Sequence, residues 1–136
     1  MKKIQILFAE DNDDHAELIV DSFDECKDQY QLIRSHDGQQ LINDLKNRLR
    51  SHSDLPDVIL LDIKMPSVDG VRTLQKIKSD QRLKKLPVIM LTTSNRDTDI
   101  DECYRYGADG YMVKPFSYND FSLILRKTQF NMSKHI

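Results

Sequence analysis

Val58-Ile59-Leu60-Leu61-Asp62-Ile63-Lys64-Met65-Pro66 is the stretch that decides the fold. Four aliphatic residues in succession need burial on both faces. The run therefore reads as a central strand of a parallel sheet, not as a strand with one solvated side. Asp62 ends the run. A carboxylate at the C-terminal end of such a strand stands where open α/β sheets place their ligands. Taken alone, the segment also fits an Asp that caps a helix in a turn.

Outward from this strand, short apolar runs recur at Ile4–Ala9, Gln31–Ser35, Val88–Leu91 and Tyr111–Val113, alongside Val58–Ile63 itself. Amphipathic segments lie between them. Ala16, Ile19, Val20 and Phe23 fall at helical spacing, as do Leu41, Ile42, Leu45 and Leu49. Val71, Leu74 and Ile77 mark a third helix after the turn Val68-Asp69-Gly70, and Ile100, Cys103 and Tyr104 a fourth that Gly107 ends. Phe121, Ile124 and Leu125 mark a fifth, with Ser117 as its N-cap and Asp120 three residues on. Strands alternating with helices predict βαβ units on a parallel sheet. Right-handed crossovers place the helices on both faces. The more polar Gln31–Ser35 is expected at a sheet edge.

Composition narrows the function. The chain has 136 residues with 39% hydrophobic and 31% charged, which suits one soluble domain. A net charge of -2 supplies no bulk attraction to nucleic acid or anionic membrane. No apolar stretch approaches the roughly 18 residues of a membrane span. The basic start Met1-Lys2-Lys3 leads into a short apolar run that stops at Glu10, which reads as a first strand and not a signal peptide. Cys26 and Cys103 lie 77 residues apart, without partners at metal spacing, and fit reduced thiols in the cytoplasm. His15, His36, His52 and His135 are scattered and are read as surface histidines.

The strand ends bring the chemistry together. The first ends in Ala9-Glu10-Asp11 and the third in Asp62, at the same edge. Three carboxylates there repel unless a cation is present, and an oxygen-only set suits a hard divalent ion, Mg²⁺ first and Mn²⁺ second. Acids complementing the next helix dipole are the alternative for Glu10 and Asp11, although Asp13 and Asp14 already suit that task. The fourth strand ends in Leu91-Thr92-Thr93-Ser94 and the fifth in Val113-Lys114-Pro115. The Lys114-Pro115 bond is open to either isomer, with trans the default. Carboxylates, a hydroxyl and an amine on one rim meet the needs of phosphoryl transfer to a carboxylate.

These segments together resemble the receiver domain of two-component response regulators. The motifs are Ala9-Glu10-Asp11-Asn12, Leu61-Asp62-Ile63-Lys64-Met65-Pro66 with Asp69-Gly70, Leu91-Thr92-Thr93, and Gly107 through Phe116. Asp62 to Thr92 spans 30 residues and Asp62 to Lys114 spans 52, as in that family. The resemblance implies a flavodoxin-like (βα)5 fold, doubly wound, with strand order 2-1-3-4-5. It implies one receiver over residues 1–136, with a core of about 3–127 and a tail of 128–136. It implies that Asp62 is the phosphoacceptor. Glu10, Asp11, Asp62 and the Lys64 backbone carbonyl would hold Mg²⁺, with Mn²⁺ as a substitute. Thr92 and Lys114 would contact the phosphoryl group, and Thr92 with Tyr111 would form the switch. Lys64 and Ser94 would tune phosphoryl lifetime.

The implied function is that of a stand-alone response regulator in a phosphorelay. A sensor histidine kinase or phosphotransfer protein would phosphorylate it, and it would signal to a downstream protein partner. Nucleic acid and membrane are not expected partners. A homodimer through the fourth helix, fifth strand and fifth helix, or through the C-terminal extension, is a further expectation. The activity would be limited to self-catalysed phosphorylation and hydrolysis. The chain departs from the commonest pattern at Glu10, where Asp is more frequent, at Lys64, and in the longer stretch between Gly38 and Pro56. That stretch resembles the single-domain receivers that partner bacterial phytochromes and other sensor kinases. A haloacid-dehalogenase-type phosphohydrolase would need an acid where Lys64 stands. A flavodoxin-like cofactor binder would need a first loop less acidic than Glu10-Asp11-Asn12-Asp13-Asp14. A scaffold-only receiver fits poorly with an intact Asp62, Thr92 and Lys114.

Overall fold

Alternating strands and helices resolve into one five-stranded parallel sheet in the computed structural model, which describes residues 2–65, 69–93 and 97–128, the backbone alone at 97–99. In chain order the elements are β1 (Ile4–Ala9), α1 (Asp13–Asp21), β2 (Tyr30–Ser35), α2 (Gly38–Arg50), β3 (Val58–Asp62), α3 (Gly70–Ser79), β4 (Val88–Thr92), α4 (Asp97–Arg105), β5 (Gly110–Val113) and α5 (Tyr118–Arg126). A single 3-10 turn, Asp24–Cys26, lies between α1 and β2. The order across the sheet is β2-β1-β3-β4-β5, so the expected fold is the observed one. No helix among the described residues is long and apolar enough to cross a membrane.

β3 is the central strand that its sequence demands. Val58, Ile59, Leu60 and Leu61 have no exposure at all. Their alternation feeds two cores. Ile59 and Leu61 join Leu7, Leu41, Leu45, Leu74, Met90 and Cys103 beneath α2, α3 and α4. Val58 and Leu60 join Ile6, Phe8, Ile19, Leu91 and Phe121 beneath α1 and α5. Each fully buried aliphatic contributes roughly 1.5–3 kcal/mol of transfer free energy, which is why polar residues are confined to the strand ends. β2 is indeed an edge strand, with Gln31 exposed and Leu32, Ile33 and Arg34 half-buried.

Local chemistry sets the helix starts. Asn12, Asp37 and Asp69 each accept a backbone N–H bond as N-caps of α1, α2 and α3. Ser117 caps α5 in a full capping box with Asp120, as its sequence predicts. Gly107 closes α4 at φ +98, a conformation that favours glycine. The Lys114-Pro115 bond is cis, against the trans default. Pro66, Ser94 and the tail from 129 to 136 lie outside the described residues. The expectation of a C-terminal dimer seam falls there.

Candidate functional site

Parallel register brings the strand ends level. Ala9 lies opposite Leu61, Asp62 opposite Leu91, and Thr92 opposite Val113. The residues that follow share one rim. Glu10 is fully buried, Asp62 is 7% exposed and Asp11 is exposed. One carboxylate oxygen from each of the three lies within 4.8 Å of the others. Lys114 reaches the same point because its backbone N–H donates to the Thr92 carbonyl at 2.8 Å, continuing the ladder past β5. Its Nζ donates to Asp62 Oδ2 at 3.1 Å and makes a shorter contact to Glu10 Oε1.

Glu10 carries the electrostatic cost of this arrangement. Burial is the largest cause, followed by the hydrogen bond it shares with Asp62. The Lys114 ammonium opposes both. The net result pushes the carboxyl up from 4.5 to about 7. A carboxyl that retains a proton near neutrality is one whose negative charge lacks enough compensation. A divalent cation would supply it. Three oxygen donors, without nitrogen or sulfur, fit a hard ion of the magnesium class.

Thr92 ends β4 and is 5% exposed. With Thr93, Lys64, Asn12 and His15 it joins the three acids and Lys114 around a pocket of about 220 Å³. The Lys64 backbone N–H donates to Asp62 Oδ1 at 3.2 Å, while its side chain is exposed. Tyr111 is half-buried on β5, opposite Met90, two residues from the level of Thr92. Its ring meets Tyr104 of α4 edge-on at 6.2 Å and 84°. Ser94 lies outside the described residues. A larger cavity of about 990 Å³ lies between α3 and the end of α4, lined by Arg72, Lys76 and Arg105 among others, and it contains none of the candidate residues. Converging charge marks the site, and size does not.

Two residues of the site escape a reading of the sequence. His15 is not merely a surface histidine. Its Nδ1 stands 3.1 Å from Lys114 Nζ and 3.9 Å from Glu10 Oε1. Its position three residues after the Asn12 cap is the only sequence signal that turns it toward the strand ends. Arg34 of β2 donates from Nε and Nη2 to the Glu10 carbonyl at 3.0 and 2.8 Å, and its Nη1 pairs with Asp13 at 2.9 Å. No local pattern signals that contact.

Comparison with known proteins agrees with this geometry. The model of the response regulator receiver domain matches residues 6–126. The probable methanogenesis regulatory protein FilR2 of Methanothrix harundinacea (strain 6Ac) is 36% identical over 115 residues, covering 85% of this chain and 74% of that protein. The DNA-binding dual master transcriptional regulator RpaA of Synechocystis sp. is 32% identical over 100 residues, which cover 71% of this chain and only 42% of RpaA. Among solved structures, the bacteriophytochrome response regulator AtBRR superposes with a TM-score of 0.85 at 29% identity, covering 96% of each chain. The Mn(2+)-bound form of response regulator Rcp1 does so at 0.72 with 28% identity, covering 88% of each. A match that runs from β1 to the end of α5 takes in every strand end that builds the rim, and on that ground the chain belongs to the response regulator receiver domain family.

Proposed function

We propose that this receiver acts as a response regulator in a phosphorelay, residues 1–136 making up one receiver with a core of about 3–127, and that Asp62 accepts the phosphoryl group. One observation carries the reading. Four strand ends deliver three carboxylates, a buried hydroxyl and a lysine ammonium to one small pocket. A carboxylate oxygen of Asp62 forms the new P–O bond as the bond to the donor breaks. With a phosphohistidine donor, the P–N bond is lost and the imidazole takes up a proton. The residues that remain offset charge on the transferred group: Lys114 by its ammonium and Thr92 by its hydroxyl.

Glu10, Asp11, Asp62 and the Lys64 backbone carbonyl are the residues that would hold a divalent ion, Mg²⁺ by preference with Mn²⁺ as a substitute. The ion would neutralise charge on the phosphoryl oxygens. The Mn(2+)-bound Rcp1 neighbour supports this choice of ion class. A sensor histidine kinase or phosphotransfer protein is the donor in this reading, and the bacteriophytochrome response regulators among the neighbours favour a photoreceptor kinase. Thr92 and Tyr111 are the switch, reporting to a downstream protein or a second copy through α4, β5 and α5. Ser94 and the Lys64 side chain tune the lifetime. Cys26 and Cys103 as reduced thiols fit a cytoplasmic setting.

The test is incubation with acetyl phosphate and Mg²⁺, followed by intact mass. The expected result is one added phosphoryl mass in the wild type and none in Asp62→Asn. An unlabelled wild type would overturn the phosphoacceptor reading and leave a scaffold.

A further inference from the structure

Among the described residues Lys114 has three partners, and only two of them are acids. Its Nζ makes contact with Glu10, with Asp62 at 3.1 Å and with His15 Nδ1 at 3.1 Å. An ammonium has three protons and no acceptor. Nδ1 must therefore accept, which places the imidazole proton on Nε2 and leaves the ring neutral in this contact. The backbone that carries the ring is fixed by the helix cap. His15 is the third residue of α1, and its backbone N–H donates to the Asn12 cap at 3.0 Å.

The three partners do not stay equivalent when a phosphoryl group is transferred. Asp62 becomes an acyl phosphate, so its oxygen is no longer a free carboxylate. Glu10 belongs to the acidic trio, and its charge is claimed by any divalent ion bound there. His15 is the one partner whose chemistry is unchanged throughout. Being neutral, it holds the ammonium at the rim without competing electrostatically for it, so Lys114 remains free to turn to phosphoryl oxygens. We infer that His15 is a positioning residue that keeps Lys114 directed at Asp62 through its Nδ1. The inference rests on the phosphoacceptor reading above and deepens it.

His15→Ala and His15→Asn separate this role from a merely structural one. Asn places Oδ1 as many bonds from the backbone as His places Nδ1, and it also accepts. At saturating Mg²⁺, His15→Ala is expected to label with acetyl phosphate about fivefold more slowly, the value of roughly one net hydrogen bond. Its Kd for Mg²⁺ is expected to stay within about twofold of wild type, since His15 is not an oxygen donor. His15→Asn is expected to recover most of the rate. Labelling of His15→Ala at the wild-type rate would overturn the inference. So would equal slowing in both variants, or a loss traced entirely to Mg²⁺ affinity. ¹⁵N NMR of the metal-free wild type gives a second check that needs no labelling. The Nε2–H tautomer of His15 is expected, and an Nδ1–H tautomer would overturn the contact itself. If the wild type does not label, the phosphoacceptor reading fails, and the tautomer still decides whether the His15–Lys114 contact exists.

Discussion

Arg34 grips Glu10 by its backbone, with Nε and Nη2 donating to the same carbonyl at 3.0 and 2.8 Å. The third nitrogen reaches Asp13 at 2.9 Å. One guanidinium on β2 thus ties the end of β1 to the start of α1, and the acidic turn hangs between them. Arg34→Lys keeps the charge and loses the fork. Divalent-ion affinity is expected to weaken about three- to tenfold, with about 1 kcal/mol lost from the fold. A Mg²⁺ titration checks this. An unchanged Kd would mean that the Asn12 cap alone shapes the turn.

Gly70 opens α3 against the end of β3. A Cβ there would stand 2.2 Å from the Asp62 carbonyl oxygen and 2.8 Å from the Ile63 Cα. Both are backbone atoms and cannot swing aside. The Gly70 N–H also donates to the Ile63 carbonyl at 2.9 Å, so moving the helix breaks a bond. Gly70→Ala is expected to cost about 2–3 kcal/mol, at the upper end of ordinary overpacking. Urea unfolding should show a lower midpoint with an unchanged slope. Labelling with acetyl phosphate should fall as well, because the displaced backbone carries Asp62, the proposed acceptor.

Much of this was legible in the sequence, for a physical reason. Residues at strand ends can be located from a single run of apolar residues, so Asp62, Thr92, Lys114 and the Glu10-Asp11 pair could be placed on one rim. His15 and Arg34 depend instead on how neighbouring elements are packed. Arg34 reaches Glu10 because β1 and β2 pair with Ala9 opposite Ser35, which is a register and not a local pattern. The Lys114-Pro115 isomer is likewise beyond sequence. The two forms differ by about 0.5–1 kcal/mol, which surrounding packing readily exceeds.

Glu10 makes the fold sensitive to pH. Its carboxyl sits at about 7 in the fold against an ordinary value of 4.5. The folded state therefore holds a proton that the unfolded chain has released between those values. The resulting stability is fully present below 4.5 and is lost as pH rises through about 7. The effect is expected to be on the order of 1–3 kcal/mol. Urea unfolding in chelator at pH 5.5 and 8 measures it, with Glu10→Gln as the control that should show a smaller difference. Saturating Mg²⁺ should remove the loss at pH 8. By the same linkage, Mg²⁺ affinity should fall as pH drops below about 7, since ion and proton compete for one carboxylate. An affinity flat from pH 8 to 6 would show that Glu10 takes no part in binding the ion.

Lys64 stands two residues past Asp62, the proposed phosphoacceptor, with its backbone on Asp62 and its side chain exposed. The backbone N–H donates to Asp62 Oδ1 at 3.2 Å. Lys64 lines both the acidic pocket and an adjoining cavity of about 620 Å³ that Met65 and Arg72 also line. An exposed side chain on a residue that lines both has room to cover the approach of water to an acyl phosphate on Asp62. Lys64→Asn keeps the backbone bond and shortens the stem, opening that approach. Hydrolysis is expected to quicken about two- to tenfold, less than the roughly 100-fold or more of a positioned general acid or base, because the lysine would only screen water. The readout is loss of the phosphoryl mass after acetyl phosphate is removed, at fixed Mg²⁺. The initial labelling rate separates a change in lifetime from damage to the site, because shielding affects loss of the group more than its arrival from a small donor. A hydrolysis rate equal to wild type would mean that the lysine stem lies in solvent and leaves the phosphate uncovered.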